Sequence, residues 1–340
     1  MKNNKFKFVV NLSIILVVLV IVLYFSLKDN YREIMNVIKS MHPIWLVLAI
    51  LILCIYRALV SLGHYLLIRQ NYENVSYLKC LQINFIILFF HGVTPFASGG
   101  QPMEVYYLHE EGIAIPKATN ITLQNFIVYQ VSLVLLGIFA LIYNMFFHLF
   151  PSDHFIQKLV VLGFLINSLV LAVTFILSFG KKINQFILEK GIHFIAKLKL
   201  IKNEEEVQNK FRNYLNNFHE NALKLKNKKH LLVLYIMINT LGLFILYGMP
   251  YVIAVGLGVN TSFIKTIVAT AYVMIIGSFV PIPGGTGGIE YGFLFFYGYF
   301  IKGSVLNAIM LIWRFVSYYL GMVFGAIALS LYRKKGEKCE

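Results

Sequence analysis

The stretch PIPGGTGGIE, residues 281–290, places two prolines and four glycines in the middle of an apolar segment. A second stretch of the same character, TPFASGGQPME, occupies residues 94–104. Proline removes a backbone hydrogen-bond donor and glycine weakens a helix, so each stretch predicts an interruption in a helix. Whether the interruptions lie in water or in a membrane depends on the residues around them.

The composition around these stretches is that of a membrane protein. Of the 340 residues, 59% are hydrophobic and only 13% are charged, well outside the range of soluble domains. The apolar residues form long blocks, most of which reach the length of about 20 residues that a membrane-spanning helix needs. Because backbone groups in lipid must be satisfied internally, the blocks predict an all-α integral membrane fold. The blocks are residues 8–27, 44–56, 117–147, 159–179, 231–248 and 304–332.

The charge of the chain is strongly positive, with a formal net charge of +15. Lysine and arginine collect before the first block, within residues 181–229 and after the last block. This distribution follows the positive-inside rule and predicts a multi-pass protein of the bacterial cytoplasmic membrane with both termini in the cytoplasm. Nucleic-acid binding would instead require a basic face on a soluble domain, so we expect no nucleic-acid partner. The first block is expected to be retained as a helix, because its apolar run is too long for a signal peptide.

The charge bias also constrains how the broken segments enter the membrane. Residues 80–109 must begin and end on the cytoplasmic side, and residues 263–303 must begin and end outside. Residues 80–109 are too short for two comfortable crossings but can form a re-entrant pair of half-helices. Residues 263–303, which are interrupted in the same way, are predicted to form a second such pair. The sequence therefore predicts about six full transmembrane helices plus two re-entrant broken-helix segments.

The two broken segments also resemble each other. Glu104 follows Pro95 by nine residues, with a Gly-Gly pair in between. Glu290 follows Pro281 by nine residues, again with a Gly-Gly pair in between. Short broken segments at matching positions in two halves are typical of an inverted-topology repeat, with the binding site where the breaks meet.

We predict a single polytopic membrane domain over residues 1–340. Within it, residues 43–147 and 231–332 are the candidate inverted repeats, and coincidence in a glycine-rich chain is the alternative. Residues 181–230 are expected to form a cytoplasmic amphipathic loop, because apolar side chains recur there at helical spacing. Its helix would lie against anionic lipid or against the protein's own cytoplasmic surface.

Four ionisable side chains fall inside the apolar segments, where charge is costly and therefore usually functional. They are Arg57, Glu104, Glu290 and Arg314. A guanidinium fork matches phosphate oxygens and stays charged in any environment, so the arginines are predicted to bind an anionic substrate. The alternative is that they only pair with the two glutamates and pin the broken helices. The glutamates would serve either as charges at the start of a half-helix or in proton coupling.

The breaks would add backbone N–H groups and the positive ends of half-helix dipoles to this anion site. The further residues predicted to bind substrate are Thr94, Gly99, Gly100, Gln101, Gly284, Gly285 and Gln124. Gln124 belongs to a polar stripe that would line a headgroup path or hydrogen-bond neighbouring helices, together with Asn120, Asn125 and Gln130. No phosphate loop, dinucleotide fingerprint or zinc-protease motif occurs, so we expect no cofactor, no metal and no catalytic residue.

The residues HGVTPFASGGQPME (91–104) and PIPGGTGGIE (281–290) resemble the flippase-like membrane family that includes the transmembrane part of lysylphosphatidylglycerol synthase. The resemblance implies a membrane part that moves aminoacylated phosphatidylglycerol between leaflets. In bifunctional members, a separate cytoplasmic domain transfers lysine from lysyl-tRNA. The present chain ends at Glu340, soon after the last apolar block, so we expect the transferase domain to be absent.

The leading hypothesis is a lipid flippase or transporter that moves a phospholipid between leaflets, with membrane lipids as its partners. The lipid would be aminoacylated phosphatidylglycerol or another anionic or amine-bearing lipid. One alternative is a phosphatidylglycerol lysyltransferase-type enzyme or its membrane subunit, which would need tRNA and a separate synthetase partner. Another is a membrane scaffold for envelope synthesis. A homo-oligomer is compatible with each of these hypotheses.

Overall fold

The computed structural model describes residues 31–69, 75–151, 155–180, 229–278, 280 and 282–332, together with isolated positions between 184 and 216. Every regular element in these residues is helical. The predicted first helix at residues 8–27, most of the predicted loop at residues 181–230, and Pro281 lie outside the described residues.

The described chain falls into two halves, each with an interrupted helix between long helices. In chain order, the elements of the first half are α1 (Tyr31–Ser40), α2 (Pro43–Arg69), α3 (Tyr77–Val93), a 3-10 turn (Pro95–Ala97), α4 (Gly100–Glu110), α5 (Ile115–Phe147) and α6 (Phe155–Phe179). Those of the second half are α7 (Lys229–Tyr247), α8 (Met249–Gly256), α9 (Phe263–Gly277), a 3-10 turn (Pro283–Gly285), α10 (Gly288–Tyr297), α11 (Ser304–Arg314), a π-helical segment (Phe315–Leu320) and α12 (Gly321–Ser330).

Five segments of the described residues are helices long and apolar enough to cross a bilayer. They confirm the predicted all-α integral membrane class, while the sixth predicted crossing, residues 8–27, lies outside the described residues. The helices α3 and α9 are apolar but have only 17 and 15 residues, shorter than a hydrocarbon core of about 30 Å requires. The five long segments are residues 43–69, 115–147, 158–176, 230–256 and 304–330.

The long helices α2 and α7 cross closely because each places a glycine against a tyrosine of the other. A Cβ atom at Gly63 would lie 2.1 Å from the Tyr235 ring. A Cβ atom at Gly242 would lie 3.1 Å from the Tyr56 ring. In both helices the tyrosine precedes the glycine by seven residues, or about two helical turns. The contact is therefore reciprocal, with the same pair of residue types contributed by each helix.

The short helix α3 packs along the last helix, α12, through small residues. Gly321 and Gly325 have the spacing of the small-residue pattern found at membrane helix interfaces. A Cβ atom at Gly325 would lie 2.5 Å from the Phe85 carbonyl, so glycine is needed for this approach. The Gln82 amide also donates a hydrogen bond to the Ala328 carbonyl over 3.1 Å. Likewise across the two halves, α9 of the second half contacts α5 of the first.

Aromatic side chains anchor α10, the helix that follows the second break. The ring centroids of Phe293 and Tyr297 are 3.9 Å apart, and those of Phe293 and Trp313 are 5.0 Å apart. The Tyr297 hydroxyl lies 2.6 Å from Thr270 Oγ1, so its polar end is satisfied inside the apolar cluster. These contacts attach α10 to α9 and α11, the two helices on either side of it in sequence.

Candidate substrate site at the two helix breaks

Both helix breaks follow the same backbone path. Each begins with an extended residue before a proline, Thr94 (φ −119°, ψ 143°) in the first and Ile282 (φ −106°, ψ 144°) in the second. The residue after the proline is left-handed in both, with φ 53° at Phe96 and φ 66° at Gly284. Left-handed backbone strains a residue that has a side chain, so the second break adopts this path at lower cost than the first.

The hydrogen bonds of the two breaks repeat as well. Ser98 Oγ donates to the Pro95 carbonyl over 2.9 Å. Thr286 Oγ1 donates to the Pro283 carbonyl over 2.8 Å. In both halves the next helix begins five residues after this proline. Pro95 in the first break is therefore structurally equivalent to Pro283 in the second. Sequence spacing had instead matched Pro95 with Pro281, two residues earlier.

The two breaks are in contact with each other. Tyr318, in the π-helical segment Phe315–Leu320, lies at this contact. Its hydroxyl donates to the Gly92 carbonyl over 2.8 Å, at the end of α3. Its ring faces Gly284 of the second break, where an added Cβ atom would lie 2.2 Å away. Tyr318 thus joins both breaks, and π-helical turns recur at functional sites.

Three of the residues predicted to bind substrate hold the first break together. Thr94 Oγ1 donates to the Phe90 carbonyl and accepts the Gly99 N–H, both over 2.8 Å. A Cβ atom at Gly100 would lie 2.1 Å from the His91 ring, so this glycine makes room for the imidazole. The Gly99 N–H is therefore already engaged by Thr94, and Gly100 has a packing role.

Arg314 and Glu290 form a buried ion pair. Arg314 Nε lies 2.6 Å from Glu290 Oε1, and the two side chains are 6% and 8% exposed. Arg314 Nη2 also donates to the Gly284 carbonyl over 3.0 Å. Glu290 Oε2 accepts the Gly287 N–H over 2.6 Å, so the same carboxylate caps the N-terminus of α10. For this arginine the structure shows pairing with a glutamate, which both interpretations of the sequence allow, so its role in substrate binding stays a prediction.

Glu104 has no arginine partner among the described residues. Its Oε1 atom lies 3.1 Å from His64 Nε2 and accepts a hydrogen bond from Asn125 Nδ2 over 3.0 Å. The Tyr235 hydroxyl in turn donates to Asn125 Oδ1. These contacts connect α4 to α2, α5 and α7. The sequence allowed an ion pair between Glu104 and Arg57, and the described part of the chain does not contain it.

Arg57 has a different environment from Arg314. It lies near the middle of α2, and its Nε atom is buried without a hydrogen-bond partner in the described residues. Its guanidinium carbon lies 4.9 Å from the centre of the Tyr56 ring. It also interacts electrostatically with Tyr129 and with His91, the residue that packs into the first break. Arg57 therefore offers a buried donor beside the break that no acceptor in the described chain uses.

The remaining predicted residues have local roles. Gln124 donates through Nε2 to Asn120 Oδ1, one turn earlier on α5. Gln101 is half-buried in the first turn of α4. Gly285 continues the left-handed path with φ 63°, and its N–H donates to the Ile282 carbonyl over 2.8 Å. Gly285 lies in the second break and Gln101 just after the first. Within the part of the chain that the structure describes, Arg57 is the predicted charged residue with a buried donor that has no acceptor.

Sequence reasoning missed His64, Tyr235 and Tyr318. His64 follows Arg57 by seven residues, which puts both on one face of α2, and this spacing was a usable signal. The tyrosine–glycine spacing shared by α2 and α7 would have pointed to Tyr235. For Tyr318 the sequence has no signal, because its position depends on the π-helical turn that follows Arg314.

These elements define an all-helical integral membrane protein in which two interrupted helices meet near buried charged side chains. A family model described as the lysylphosphatidylglycerol synthase TM region matches residues 10–325. The chain belongs to this family, which confirms the resemblance found in its sequence and points to a function connected with membrane lipids. The chain is also similar to a UPF0104 membrane protein from Archaeoglobus fulgidus, with 25% identity over 302 residues, which cover 87% of this chain and 88% of that protein.

Proposed function

We propose that this protein moves phospholipids between the leaflets of the bacterial cytoplasmic membrane and binds the lipid phosphate at Arg57. The observation that carries the proposal is the difference between the two arginines. Arg314 is neutralised by Glu290, whereas Arg57 has a buried donor with no acceptor among the described residues. An unpaired charge at membrane depth is costly, and a bound phosphate would offset that cost.

A phospholipid fits this position because it combines an anionic headgroup with apolar tails. The guanidinium can offer two parallel N–H donors to phosphate oxygens, a geometry that lysine lacks. The tails would stay in the bilayer, against the apolar side chains that the helices turn outward. Phe96 of the first break, for example, is 61% exposed and would contact lipid. The headgroup could then cross beside the breaks while the tails remain in hydrocarbon.

The proposal includes an inverted repeat formed by residues 43–147 and 231–332. Three relations between the halves support it: the shared backbone path of the breaks, the reciprocal tyrosine–glycine contacts of α2 and α7, and the packing of α3 on α12 and of α9 on α5. In transporters with such repeats, rocking of one half against the other opens a central site to each side in turn. The same motion here would carry a headgroup from one leaflet to the other, with both termini on the cytoplasmic side.

Lipid transfer in proteoliposomes tests the role of Arg57. The probe is phosphatidylglycerol with a fluorescent acyl chain, and a membrane-impermeant quencher reports the outer leaflet. Arg57→Gln should slow transfer by about tenfold or more, because a hydrogen bond to a charged group is worth about 1.5–3 kcal/mol. Arg57→Lys should keep part of the rate, since the ammonium attracts phosphate without the planar fork. Arg69→Gln, at the end of the same helix, is the matched control and should transfer at the wild-type rate.

The possible results separate the hypotheses. Equal rates for the wild type and Arg57→Gln would reject the phosphate-binding role of this arginine. A wild-type protein that transfers no lipid would reject the transport function itself. Formation of lysylphosphatidylglycerol from lysyl-tRNA and phosphatidylglycerol would support the enzyme alternative. Thermal unfolding of each variant in detergent distinguishes loss of binding from loss of the fold.

A further inference from the structure

The pair of His64 and Glu104 differs from the pair of Arg314 and Glu290 because neither of its members carries a fixed positive charge. His64 is completely buried, Glu104 is 4% exposed, and the atoms Nε2 and Oε1 are 3.1 Å apart. Histidine and glutamate can each bind or release a proton, whereas arginine keeps its own in any protein environment. One buried glutamate thus has a permanent countercharge, and the other has a partner that can titrate.

The hydrogen bonds around His64 show which ring nitrogen holds the proton. Asn84 Nδ2 donates to the Cys80 carbonyl over 2.9 Å, which fixes the orientation of the amide. The same nitrogen lies 3.4 Å from His64 Nδ1, so Nδ1 is the acceptor in this contact. The ring proton is then on Nε2, which lies 3.1 Å from Glu104 Oε1, although the N–H direction does not satisfy a hydrogen bond to that oxygen. This arrangement requires a neutral imidazole and brings no positive charge to the carboxyl group.

Among the described residues, the other side chains near the pair do not include a cation that is ion-paired with Glu104. Asn125 of α5 donates to Glu104 Oε1, and no lysine or arginine of the described residues forms an ion pair with Glu104. Within the described part of the chain, an ionised Glu104 is therefore a buried anion with a hydrogen bond from Asn125 and no ion-paired lysine or arginine. The titratable groups that interact with Glu104 are Cys80 of α3 and Tyr235 of α7, and Arg57 lies about two turns before His64 on α2.

We propose that the pair of His64 and Glu104 takes up one proton on one side of the membrane and releases it on the other, coupling lipid transfer to a proton gradient. The inference rests on the proposed lipid transport. The proton comes from water and forms an O–H bond on Glu104 Oε2, the oxygen that neither lies against His64 nor accepts from Asn125. It returns to water when that bond breaks, and no group is oxidised or reduced.

The position of the pair connects protonation to movement. His64 belongs to α2 and Glu104 to α4, and Asn125 and Tyr235 extend the contact to α5 and α7. An ionised carboxylate accepts stronger hydrogen bonds than a neutral carboxyl group does. Proton binding therefore loosens the attachment of the first broken segment to its neighbours. The permanent charge of Arg314 continues to hold Glu290, so the second broken segment stays attached.

Steady-state lipid asymmetry tests this coupling separately from transport. Proteoliposomes containing the fluorescent phosphatidylglycerol are held under an about tenfold proton gradient, with the membrane potential set to zero by potassium and an ionophore. If one proton moves with each lipid, the ratio between leaflets should shift by up to about tenfold. Glu104→Gln keeps the size of the side chain but cannot ionise, so its ratio should not respond to the gradient. Glu110→Gln, the same change at the end of α4, should respond as the wild type does.

Protein-free vesicles under the same gradient give the asymmetry that the lipid acquires unaided. A wild-type ratio equal to theirs, in vesicles where the protein still equilibrates lipid, would overturn the coupling and leave transport intact. The coupling would also be overturned if Glu104→Gln responded as fully as the wild type. A wild-type protein that equilibrates no lipid would instead refute the proposed transport.

Infrared difference spectra provide a second measurement if Glu104→Gln transfers no lipid. Acidification of the purified wild type between pH 8 and pH 5 should produce the carbonyl band of a protonated carboxyl group. The band should be missing from Glu104→Gln and present in Glu110→Gln. Identical bands in the wild type and Glu104→Gln would overturn the proton site.

Discussion

The Tyr318 hydroxyl donates a hydrogen bond to the Gly92 carbonyl over 2.8 Å and so links the last membrane crossing to the end of α3. The ring of the same tyrosine packs on Gly284, and its centre lies 4.7 Å from the Arg314 guanidinium carbon. One side chain therefore contacts the first break, the second break and the buried ion pair. The integrity of the site should depend on it.

Tyr318→Phe removes this hydrogen bond but keeps the ring. We expect the free energy of unfolding to fall by about 1 kcal/mol, because the Gly92 carbonyl loses its partner inside the protein. Thermal unfolding in detergent measures the change. Tyr291→Phe, at a side chain that is 64% exposed, is the control and should unfold as the wild type does. Unchanged stability of Tyr318→Phe would show that the breaks do not depend on this bond.

Separating Arg314 from Glu290 should be much more harmful. Glu290→Gln and Arg314→Gln each leave one buried charge without its partner, at a cost of about 3–5 kcal/mol. The double variant leaves no unpaired charge, so its loss should be smaller than the sum of the single losses. The four unfolding free energies form a double-mutant cycle. Additive losses would contradict a direct interaction between the two side chains.

The left-handed residues of the breaks predict unequal responses to substitution. Gly284→Ala puts a side chain on left-handed backbone with its Cβ atom 2.2 Å from the Tyr318 ring, so we expect a loss of about 2–4 kcal/mol. Ala97→Gly removes a side chain from a residue with φ 53°. Its effect should stay below about 1 kcal/mol, because relief of strain opposes the greater freedom of glycine in the unfolded chain. Equal losses in thermal unfolding would argue against the described backbone path.

Gly63→Ala should disturb the crossing of α2 and α7 more than Gly242→Ala does. The new Cβ atom would lie 2.1 Å from the Tyr235 ring in the first variant but 3.1 Å from the Tyr56 ring in the second. Overpacking of the first kind costs about 1–3 kcal/mol, and displacement of Tyr235 also breaks its hydrogen bond to Asn125. Unfolding temperatures of the two variants give the comparison. The opposite order of stability would mean that the helices do not approach as described.

The long helices and the positions of the breaks could be predicted from the sequence because a bilayer restricts both. A crossing needs a long apolar run, so the block at residues 117–147 predicts α5 (Ile115–Phe147) closely. Proline and glycine act locally, so they mark the breaks wherever they occur together. The structural equivalence of Pro95 and Pro283 could not be predicted from sequence, because it is defined by dihedral angles and hydrogen bonds. The spacing from proline to glutamate had instead matched Pro95 with Pro281.

The different environments of the two membrane arginines could not be predicted either. Arg57 and Arg314 look alike in sequence, since each is a lone arginine in an apolar helix. Their difference arises from the fold, which brings Glu290 against Arg314 but turns Glu104 toward His64. A pairing between residues on different helices depends on how those helices cross, and one sequence contains no record of that crossing.

Native mass spectrometry of the lipid that the purified protein retains tests the central claim most directly, because it detects binding at Arg57 without requiring transport. After mild delipidation, the wild type and Arg69→Gln should each retain a phospholipid, and Arg57→Gln should lose it while unfolding at the wild-type temperature. Equal retention of the same lipid by all three proteins would contradict the account.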